Sequence, residues 1–259
     1  MYIKDYEDFK TAILEMTGIN LCAYKERQMK RRIESLIRKN NVDDFNNYVK
    51  ALQCNKDIFN EFINYLTINV SEFYRNPAQW EVLEASIIPM LLNNSLEKLK
   101  IWSSACSTGE EPYSLVMMLS KFMPLSDIQI IATDIDEGAL SKAQIGLYNM
   151  KGMEGLPKPF LTKFFTQQGH FYKINDEIKK CVTFSKLNLL SAPYPQECDL
   201  ILCRNVLIYF TEEAKVEIYE NFNKALKPEG VLFVGSTEQI ILPNRYNFKP
   251  FKTFFYQNK

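Results

Sequence analysis

Two adjacent glutamates follow a run of small residues in IWSSACSTGEEPYSLVMML, residues 101–119. The stretch passes from an apolar segment through small polar residues to an amphipathic segment, which predicts a strand, a tight loop and a helix. Glu110 and Glu111 then lie in the first turn of that helix. A phosphate bound there would meet two negative charges, whereas nucleotide-binding loops of the Walker type place a lysine at this point. The pair therefore favours a ligand that carries positive charge.

Small residues occupy alternate positions of the same loop, at Ala105, Ser107 and Gly109. They let the backbone approach a bound molecule closely, as the glycines of dinucleotide-binding loops do. S-Adenosylmethionine suits such a loop because it carries an ammonium and a sulfonium group and has no phosphate. A purely structural interpretation is also open, in which Thr108 and Glu111 form a capping box for the helix.

A further acidic position follows the next predicted strand, in the stretch IIATDID. Asp134 lies about 25 residues after the loop, where an acidic side chain can accept hydrogen bonds from both ribose hydroxyls of a nucleoside. The same geometry serves nicotinamide cofactors, although a dehydrogenase would be expected to show Gly-x-Gly-x-x-Gly in the first loop, and this loop does not. The alternative is that Asp134 only caps the helix that follows it.

The composition argues against several other kinds of site. The 259 residues include 31 basic and 31 acidic side chains, and a general nucleic-acid binder would normally be basic overall. The six cysteines form no C-x-x-C pair and His170 is the one histidine, so we expect neither a metal site nor histidine acid–base chemistry. The charged amino terminus and the lack of a run of ~18 apolar residues predict a cytoplasmic protein without a signal peptide or a membrane span.

The elements that must position these residues fall into two regions. The first region predicts helices at about residues 5–16, 25–39, 42–52 and 57–66. From residue 99 strands alternate with helices, which predicts an α/β fold with a parallel, doubly wound sheet. The predicted strands are LKIWSS (99–104), DIQIIAT (127–133), CVTFSKL (181–187), CDLILCR (198–204), GVLFVGS (230–236) and an antiparallel FKPFKTFFYQ (248–257). The predicted helices of this region cover 110–122, 136–147 and 211–226.

We therefore divide the chain into an N-terminal helical domain, residues 1–68, a connecting segment, residues 69–98, and a sheet domain, residues 99–259. The sheet domain contains an unusually long interval between a helix and a strand, residues 150–180, and we expect a small inserted hairpin subdomain at about residues 150–184. Within and after this interval, the segment GHFYKINDEIKKCVTF (169–184) predicts a small β-hairpin inserted in the sheet domain.

Six motifs in order resemble those of the chemotaxis receptor methyltransferases of the CheR type, over nearly the whole chain. Any one short match is weak, but six in the family's order, one of them long, are highly specific. The motifs are TINVSEFYRNP (67–77), WSSACSTGEEPYS (102–114), ATDIDEGALSKA (132–143), KLNLL (186–190), CRNVLIYF (203–210) and LFVGSTE (232–238). The resemblance implies a class I methyltransferase sheet with an N-terminal all-α domain and a small inserted β-subdomain.

The resemblance also implies a site for S-adenosylmethionine. Ser71 stands where the family's Asn-x-Thr-x-x-x-Arg pattern has threonine, and it keeps the hydroxyl group. Arg75 would meet the cofactor carboxylate with a charge-assisted bond, and together with Tyr209 it would orient the substrate. The implied cofactor-binding residues are Asn69, Ser71, Arg75, Glu111 near the positive end, Asp134 on the ribose, Asn188 and Leu189 beside the adenine, and Asn205 and Val206 at the methionine end. Leu189 and Val206 are equally open to an interpretation as core residues.

The family methylates glutamate side chains of chemotaxis receptors, forming methyl esters and S-adenosylhomocysteine. A glutamate is already ionised at neutral pH, with a pKa near ~4.3, and therefore needs no general base. The implied partners are acidic cytoplasmic helices of the receptors. Residues 25–39 hold seven basic and two acidic side chains, and helical spacing places Arg27, Lys30, Arg31 and Arg38 opposite the apolar stripe. Without the resemblance, such a face is an ordinary solvated surface.

Two other classes of function remain open. One is a methyltransferase for a small molecule or a nucleic acid, and the other is a non-catalytic sensor of S-adenosylmethionine. On the CheR interpretation we expect a monomer that binds no nucleic acid and does not insert into a membrane. The stretch FFTQQGHFYKI (164–174) is shorter than the hairpin of family members that dock a receptor's C-terminal tail, so we expect the tail-independent type.

Overall fold

The computed structural model describes residues 2–95, 97–191 and 193–259. The chain forms two compact units. The first unit reaches Asn69 and also includes Tyr209–Val216, and the second contains Val70–Ile208 and Glu217–Lys259. In the described residues no helix combines the length and the apolar character that a bilayer crossing requires.

The first unit is helical, and polar side chains satisfy free backbone N–H groups at the start of α1, α3 and α4, but not of α2. The Asp5 side chain accepts hydrogen bonds from the first turn of α1, and Asn55 does the same for α4. The core is aromatic, with the Phe9 ring 6.3 Å from the Phe62 ring. The helices are α1 (Tyr6–Thr17), α2 (Glu26–Lys39), α3 (Phe45–Cys54) and α4 (Lys56–Thr67).

Helix α2 buries one stripe of its surface. Its buried side chains are Met29, Ile33, Leu36 and Ile37, as the helical spacing predicts. The backbone before α2 is held by the later segment of the same unit, because Lys25 N donates to Tyr209 O at 2.9 Å and Thr211 N donates to Ala23 O at 2.8 Å. These two bonds form a short antiparallel contact at the start of α2.

The second unit contains a seven-stranded sheet in the order β6-β2-β1-β7-β8-β10-β9. The first five of these strands are parallel, with Ile101 paired to both Ile130 and Leu200, and β10 and β9 are antiparallel. The strands are β1 (Ile101–Ser103), β2 (Ile130–Asp134), β6 (Val182–Lys186), β7 (Cys198–Cys203), β8 (Leu226–Val234), β9 (Phe248–Lys252) and β10 (Phe255–Asn258). The predicted α/β fold with a preceding helical region is confirmed.

Helices α7, α8 and α11 follow the parallel strands β1, β2 and β7, while α5 and α6 precede β1 and α9 and α10 lie between α8 and β6. The C-cap of α7 is Ser120, which has the right-handed helical conformation. The C-cap of α8 is Gly146, which has the left-handed conformation. The helices are α5 (Pro77–Val82), α6 (Ile88–Asn94), α7 (Glu110–Leu119), α8 (Glu137–Ile145), α9 (Lys158–Phe164), α10 (Asp176–Lys179) and α11 (Glu212–Ala225), with a π-helical turn at Leu83–Ile87.

A second, three-stranded antiparallel sheet is inserted between α8 and β6, in the order β3-β5-β4. Its strands are β3 (Leu147–Asn149), β4 (Phe165–Gln168) and β5 (Phe171–Ile174). The prediction of a hairpin over 169–184 was wrong in its bounds, because Val182–Lys186 pairs with β2 in the main sheet. The hairpin that forms is β4–β5, and only Gly169 and His170 lie between its strands.

The C-terminal segment also differs from its prediction. Residues 248–257 form two antiparallel strands rather than one, because the chain turns at Thr253 and Phe254. Phe254 has a positive φ of 69°, a left-handed conformation that an extended strand cannot contain. Aromatic residues lie on both sides of this turn, and neither residue 253 nor residue 254 is glycine, proline or asparagine, so the sequence pattern alone did not reveal it.

Candidate functional site

The predicted cofactor residues of the second unit follow the strands of the main sheet. Because β1, β2, β6 and β7 are parallel, their carboxyl ends lie at one edge of the sheet. Ligands of open α/β sheets bind at this edge, where the strand order changes direction. The residues that follow these four strands, or end them, are the loop 104–109 after β1, Asp134 at the end of β2, Asn188 and Leu189 after β6, and Asn205 and Val206 after β7.

The loop after β1 turns into α7 at a glycine. Gly109 is the N-cap of α7 with φ of 95°, and an added Cβ would lie 2.9 Å from Ala143 Cβ. Thr108 Oγ1 donates to both carboxylate oxygens of Glu110, at 2.9 and 2.7 Å, and no side chain caps the helix. The predicted capping box of Thr108 with Glu111 was therefore wrong.

The two glutamates have different surroundings. Glu110 is buried, accepts hydrogen bonds from Thr108 and Ser71, and has its pKa raised by burial. Glu111 is half-buried and accepts a hydrogen bond from Ser103 Oγ at 2.7 Å. Glu110 therefore fastens the loop to the segment that contains Ser71, while Glu111 is the glutamate with accessible surface.

Glu111 forms an ion pair that the sequence did not reveal. Its Oε2 lies 3.2 Å from Arg204 Nη1, and the two side chains are 13% and 2% exposed. Arg204 Nη2 also donates to Arg75 O at 2.7 Å and to Gln79 Oε1 at 3.0 Å. One buried guanidinium thus joins the start of α7, the end of β7 and the backbone of Arg75.

The side chain of Arg75 is half-buried, and its Nη1 donates to Val70 O at 3.1 Å. The Arg204 bond to its carbonyl oxygen fixes the backbone from which this guanidinium extends. An arginine directly after the fully buried strand β7 was the available sign of a buried cation, since charged side chains are rarely buried without a partner.

Asp134 is oriented by two backbone groups. Its Oδ2 accepts from Ser107 N at 2.8 Å, and its Oδ1 accepts from Asp136 N at 3.0 Å. Burial raises the pKa of this carboxyl group. The cap of α8 is Asp136, which accepts from Gly138 N and Ala139 N, so the alternative role of Asp134 as the helix cap was wrong. Each carboxylate oxygen retains capacity for another hydrogen bond.

The loop after β7 is held by a buried glutamate. Asn205 has φ of 61°, and its N–H donates to Glu238 Oε2 at 2.5 Å. Glu238 also accepts from the backbone N–H groups of Leu207 at 2.7 Å and Gly235 at 2.9 Å. Burial raises the pKa of Glu238 despite these donors. Glu238 belongs to the motif LFVGSTE, but the sequence alone does not indicate this role.

The loop after β6 contains a local turn. Asn188 Oδ1 accepts from Leu190 N at 3.0 Å, and Asn188 O accepts from Ser191 N at 2.9 Å. Leu189 is buried, whereas Asn188 and, after β7, Val206 are half-buried. Leu189 thus has the burial of a core residue, while the Asn188 side chain is occupied in shaping its own loop.

Two predicted residues lie in the first unit. Asn69 is half-buried and its Nδ2 donates to Thr67 Oγ1 at 3.1 Å. Tyr209 is half-buried, and its carbonyl oxygen accepts the bond from Lys25 described above. The geometry of the second unit brings together the remaining residues at one sheet edge, through the loop after β1 and the Arg204 contacts.

The charged and polar side chains of this site fit S-adenosylmethionine. Arg75 offers a cation for a carboxylate, Glu111 an anion for an ammonium group, and Asp134 an oriented acceptor for a ribose diol. In the described ranges, no group of three or more His, Cys, Asp or Glu side chains has the arrangement of a metal site.

Comparison with known proteins supports the same cofactor. A model of the CheR methyltransferase SAM-binding domain matches residues 69–255, and a model of the CheR methyltransferase all-alpha domain matches residues 4–67. A chemotaxis protein methyltransferase of Listeria innocua is 43% identical over 253 residues, which cover 98% of this chain and 97% of the relative. The chemotaxis protein methyltransferase of Listeria monocytogenes is 42% identical, over 98% of this chain and 97% of the relative. That of Borreliella burgdorferi is 34% identical, over 86% of this chain and 83% of the relative.

We predict that Arg204→Gln lowers the free energy of unfolding by about 3–5 kcal/mol, because it leaves Glu111 without its cation in a partly buried site. Urea unfolding measures the change. In the double variant with Glu111→Gln, the loss should be smaller than the sum of the two single losses.

The matched control for Arg204→Gln is Lys98→Gln, which breaks the exposed pair of Lys98 with Asp127 at 3.0 Å. It should change the free energy of unfolding by less than about 1 kcal/mol. Strict additivity of Arg204→Gln and Glu111→Gln would contradict a coupled buried pair.

Proposed function

The chain belongs to the CheR methyltransferase family, and from this premise we propose that it transfers methyl groups from S-adenosylmethionine to glutamate side chains of chemotaxis receptors. The products are glutamate methyl esters and S-adenosylhomocysteine. The observation that carries the proposal is the arrangement at the carboxyl edge of the sheet, where Arg75, Glu111 and Asp134 offer a cation and two carboxylates suited to this cofactor. The coarser conclusion, a SAM-dependent methyltransferase of chemotaxis, follows from the family itself.

Each proposed cofactor residue has a distinct task. Asp134 accepts from the ribose hydroxyls, and Arg75 binds the carboxylate. Glu111 faces the ammonium group with the carboxylate surface that remains accessible beside Arg204. Asn69 and Ser71, which precede Arg75 in the chain, contribute further polar groups. Asn188 and Leu189 border the adenine. Asn205 and Val206 border the methionine end.

The chemistry requires orientation more than proton transfer. When bound, S-adenosylmethionine supplies an electrophilic methyl group on a sulfonium. A substrate glutamate is ionised at neutral pH, with a pKa near ~4.3, so the protein needs no general base. Arg75 and Tyr209 orient the substrate carboxylate, and well-oriented placement can lower a barrier by about 7–11 kcal/mol.

The basic face of α2 is proposed as a receptor-binding surface. Arg27, Arg31 and Arg38 are exposed, while Lys30 is half-buried with its Nζ 5.4 Å from the centre of the Tyr6 ring. The opposite side of α2 is buried, so this face is the one available to a partner. An acidic receptor helix complements its charge.

We place this activity in the cytoplasm and propose that the protein acts as a monomer, without a resident metal and without binding nucleic acid. The alternatives are methylation of another substrate and non-catalytic sensing of S-adenosylmethionine. A sensor needs the binding groups, but it does not need a route for a substrate carboxylate to the methyl group.

The proposal is tested by incubating the protein with radiolabelled S-adenosylmethionine and membranes that contain receptors. We expect label on a receptor-sized band that is released by mild base, as a methyl ester is. Label on RNA or on a base-stable product would support another substrate. Tight cofactor binding without any transfer would support a sensor.

We predict that Asp134→Asn weakens S-adenosylmethionine binding by roughly tenfold to a hundredfold, because a charged acceptor for the ribose is lost. Isothermal titration calorimetry measures the affinity, and circular dichroism checks the fold. The matched control is Asp127→Asn, at the exposed carboxylate before β2 that pairs with Lys98. Equal affinities of both variants and the parent would show that the ribose binds elsewhere.

We predict that Arg27→Glu with Arg31→Glu slows receptor methylation without changing cofactor affinity. The parent rate should also fall as salt increases, because exposed charges are screened beyond ~8 Å at physiological ionic strength. Lys50→Glu with Lys56→Glu makes the same change of charge at exposed positions on α3 and α4, and it should retain the parent rate. A parental rate for the α2 double variant at low salt would refute this surface.

We further predict that methylation does not depend on the C-terminal tail of the receptor. The β4–β5 turn contains only Gly169 and His170, which leaves little room for an added peptide strand at its end. Removing the tail of a cognate receptor should leave its methylation rate unchanged. Phe171 is the exposed residue directly after this turn. Saturable binding of a tail peptide to the parent, lost in the Phe171→Asp variant, would contradict the prediction.

A further inference from the structure

A groove lies between the segment after β8 and the β9–β10 turn. Its volume is about 480 Å³, and its lining includes Ile240, Pro243, Pro250, Phe251 and Phe254, together with Lys252. None of these residues has a role in the proposed cofactor site. The C-terminal surface is defined as the groove, residues 241 and 242, which lie in the chain between the lining residues Ile240 and Pro243, and the basic side chains of residues 245–259.

The groove lies at the carboxyl edge of the main sheet. Val234, the last residue of β8, donates its N–H to Phe254 O at 3.0 Å, which places the β9–β10 turn at that end of the strand. On the other wall, Ile240 N donates to Tyr256 OH at 2.9 Å. Glu238, which holds the loop after β7, is two residues before Ile240. The groove is therefore on the side of the sheet where a methyl acceptor has to arrive.

The C-terminal surface exposes large apolar side chains. Ile241 is 81% exposed, Leu242 55% and Phe251 36%. Leu242 also has φ of 55°, a conformation rarely adopted by leucine. Adjacent exposed apolar residues beside a concave groove are typical of a binding surface.

The charge of this surface has one sign. Residues 239–259 contain four basic side chains, Arg245, Lys249, Lys252 and Lys259, and no acidic one. All four are exposed. A partner that complements the surface must therefore be acidic as well as apolar.

The edge strand β9 is poorly suited to pairing with another strand. Pro250 has no N–H to donate, and the flanking Lys249 and Lys252 are exposed. These are features by which edge strands avoid pairing with a further chain. A helix, which satisfies its own backbone and offers side chains to a groove, is the better occupant.

We infer that the C-terminal surface docks an acidic amphipathic helix of the methyl-accepting substrate. An apolar side chain of that helix fills the groove beside Phe251, and its carboxylates face Lys249 and Lys252. The inference rests on the proposed function and adds a second substrate contact, separate from the basic face of α2. It favours a helix over a lipid surface because the groove is concave and lies at the edge that the acceptor glutamate must reach.

The test is the double variant Ile241→Ser with Lys252→Glu, at two exposed positions. Receptor methylation is measured as a function of receptor concentration, and cofactor affinity by calorimetry. We expect KM for the receptor to rise about tenfold or more, with kcat and cofactor affinity unchanged, because the surface contributes to docking and does not touch the cofactor. The rise should be largest at low salt.

The matched control is Ile145→Ser with Lys180→Glu, which makes the same two changes at exposed residues at the ends of α8 and α10. It should keep the parental KM. An equal rise in the control, or a parental KM in the test variant, would overturn the inference while the proposed function stands. Absence of receptor methylation by the parent would instead refute the proposed function and, with it, this inference.

Binding to vesicles of anionic lipid distinguishes a membrane surface. Loss of vesicle binding in the Ile241→Ser, Lys252→Glu variant, together with a parental KM for a soluble receptor fragment, would assign the surface to lipid and overturn the inference. No difference in vesicle binding, together with the raised KM, supports docking of a protein helix.

Discussion

The buried ion pair of Glu111 with Arg204 is the contact on which the candidate site depends. A guanidinium that is 2% exposed requires a counter-charge and several acceptors, and here it finds them in α7, in the backbone of Arg75 and in Gln79. The same contacts orient the carboxylate and the arginine that would meet the two charged groups of a bound amino acid. The stability of the fold and the proposed geometry of cofactor binding are therefore coupled at this point.

Backbone N–H groups bound by carboxylates hold the remaining loops. Asp134 accepts from Ser107 N and Asp136 N, and Glu238 accepts from three N–H groups within residues 205–208. A loop held in this way does not need a series of glycines to remain close to a ligand. Loops held in this way suit the proposed reaction, in which the acceptor is already ionised and most of the work is orientation.

The elements were predicted best where a pattern repeats over several turns or strands. The apolar stripe of α2 and the alternation of strands and helices both predicted what forms. The C-terminal segment was misread because the turn at Phe254 contains no glycine, proline or asparagine and has aromatic residues on both sides. The capping box was misread because Thr108 bonds to Glu110, its near neighbour, instead of to the helix backbone.

The sequence by itself determined the family and the class of fold, and it predicted the residue types of a site for a cationic cofactor, because motif order and periodicity are properties of neighbouring residues. Only the tertiary structure decided which glutamate keeps an accessible carboxylate, that Arg204 is its partner and that Glu238 holds the Asn205 loop. Arg204 and Glu111 are 93 positions apart, and Asn205 and Glu238 are 33 apart. Such pairs are brought together by strand order in the sheet, and a single sequence carries no local signal of that order.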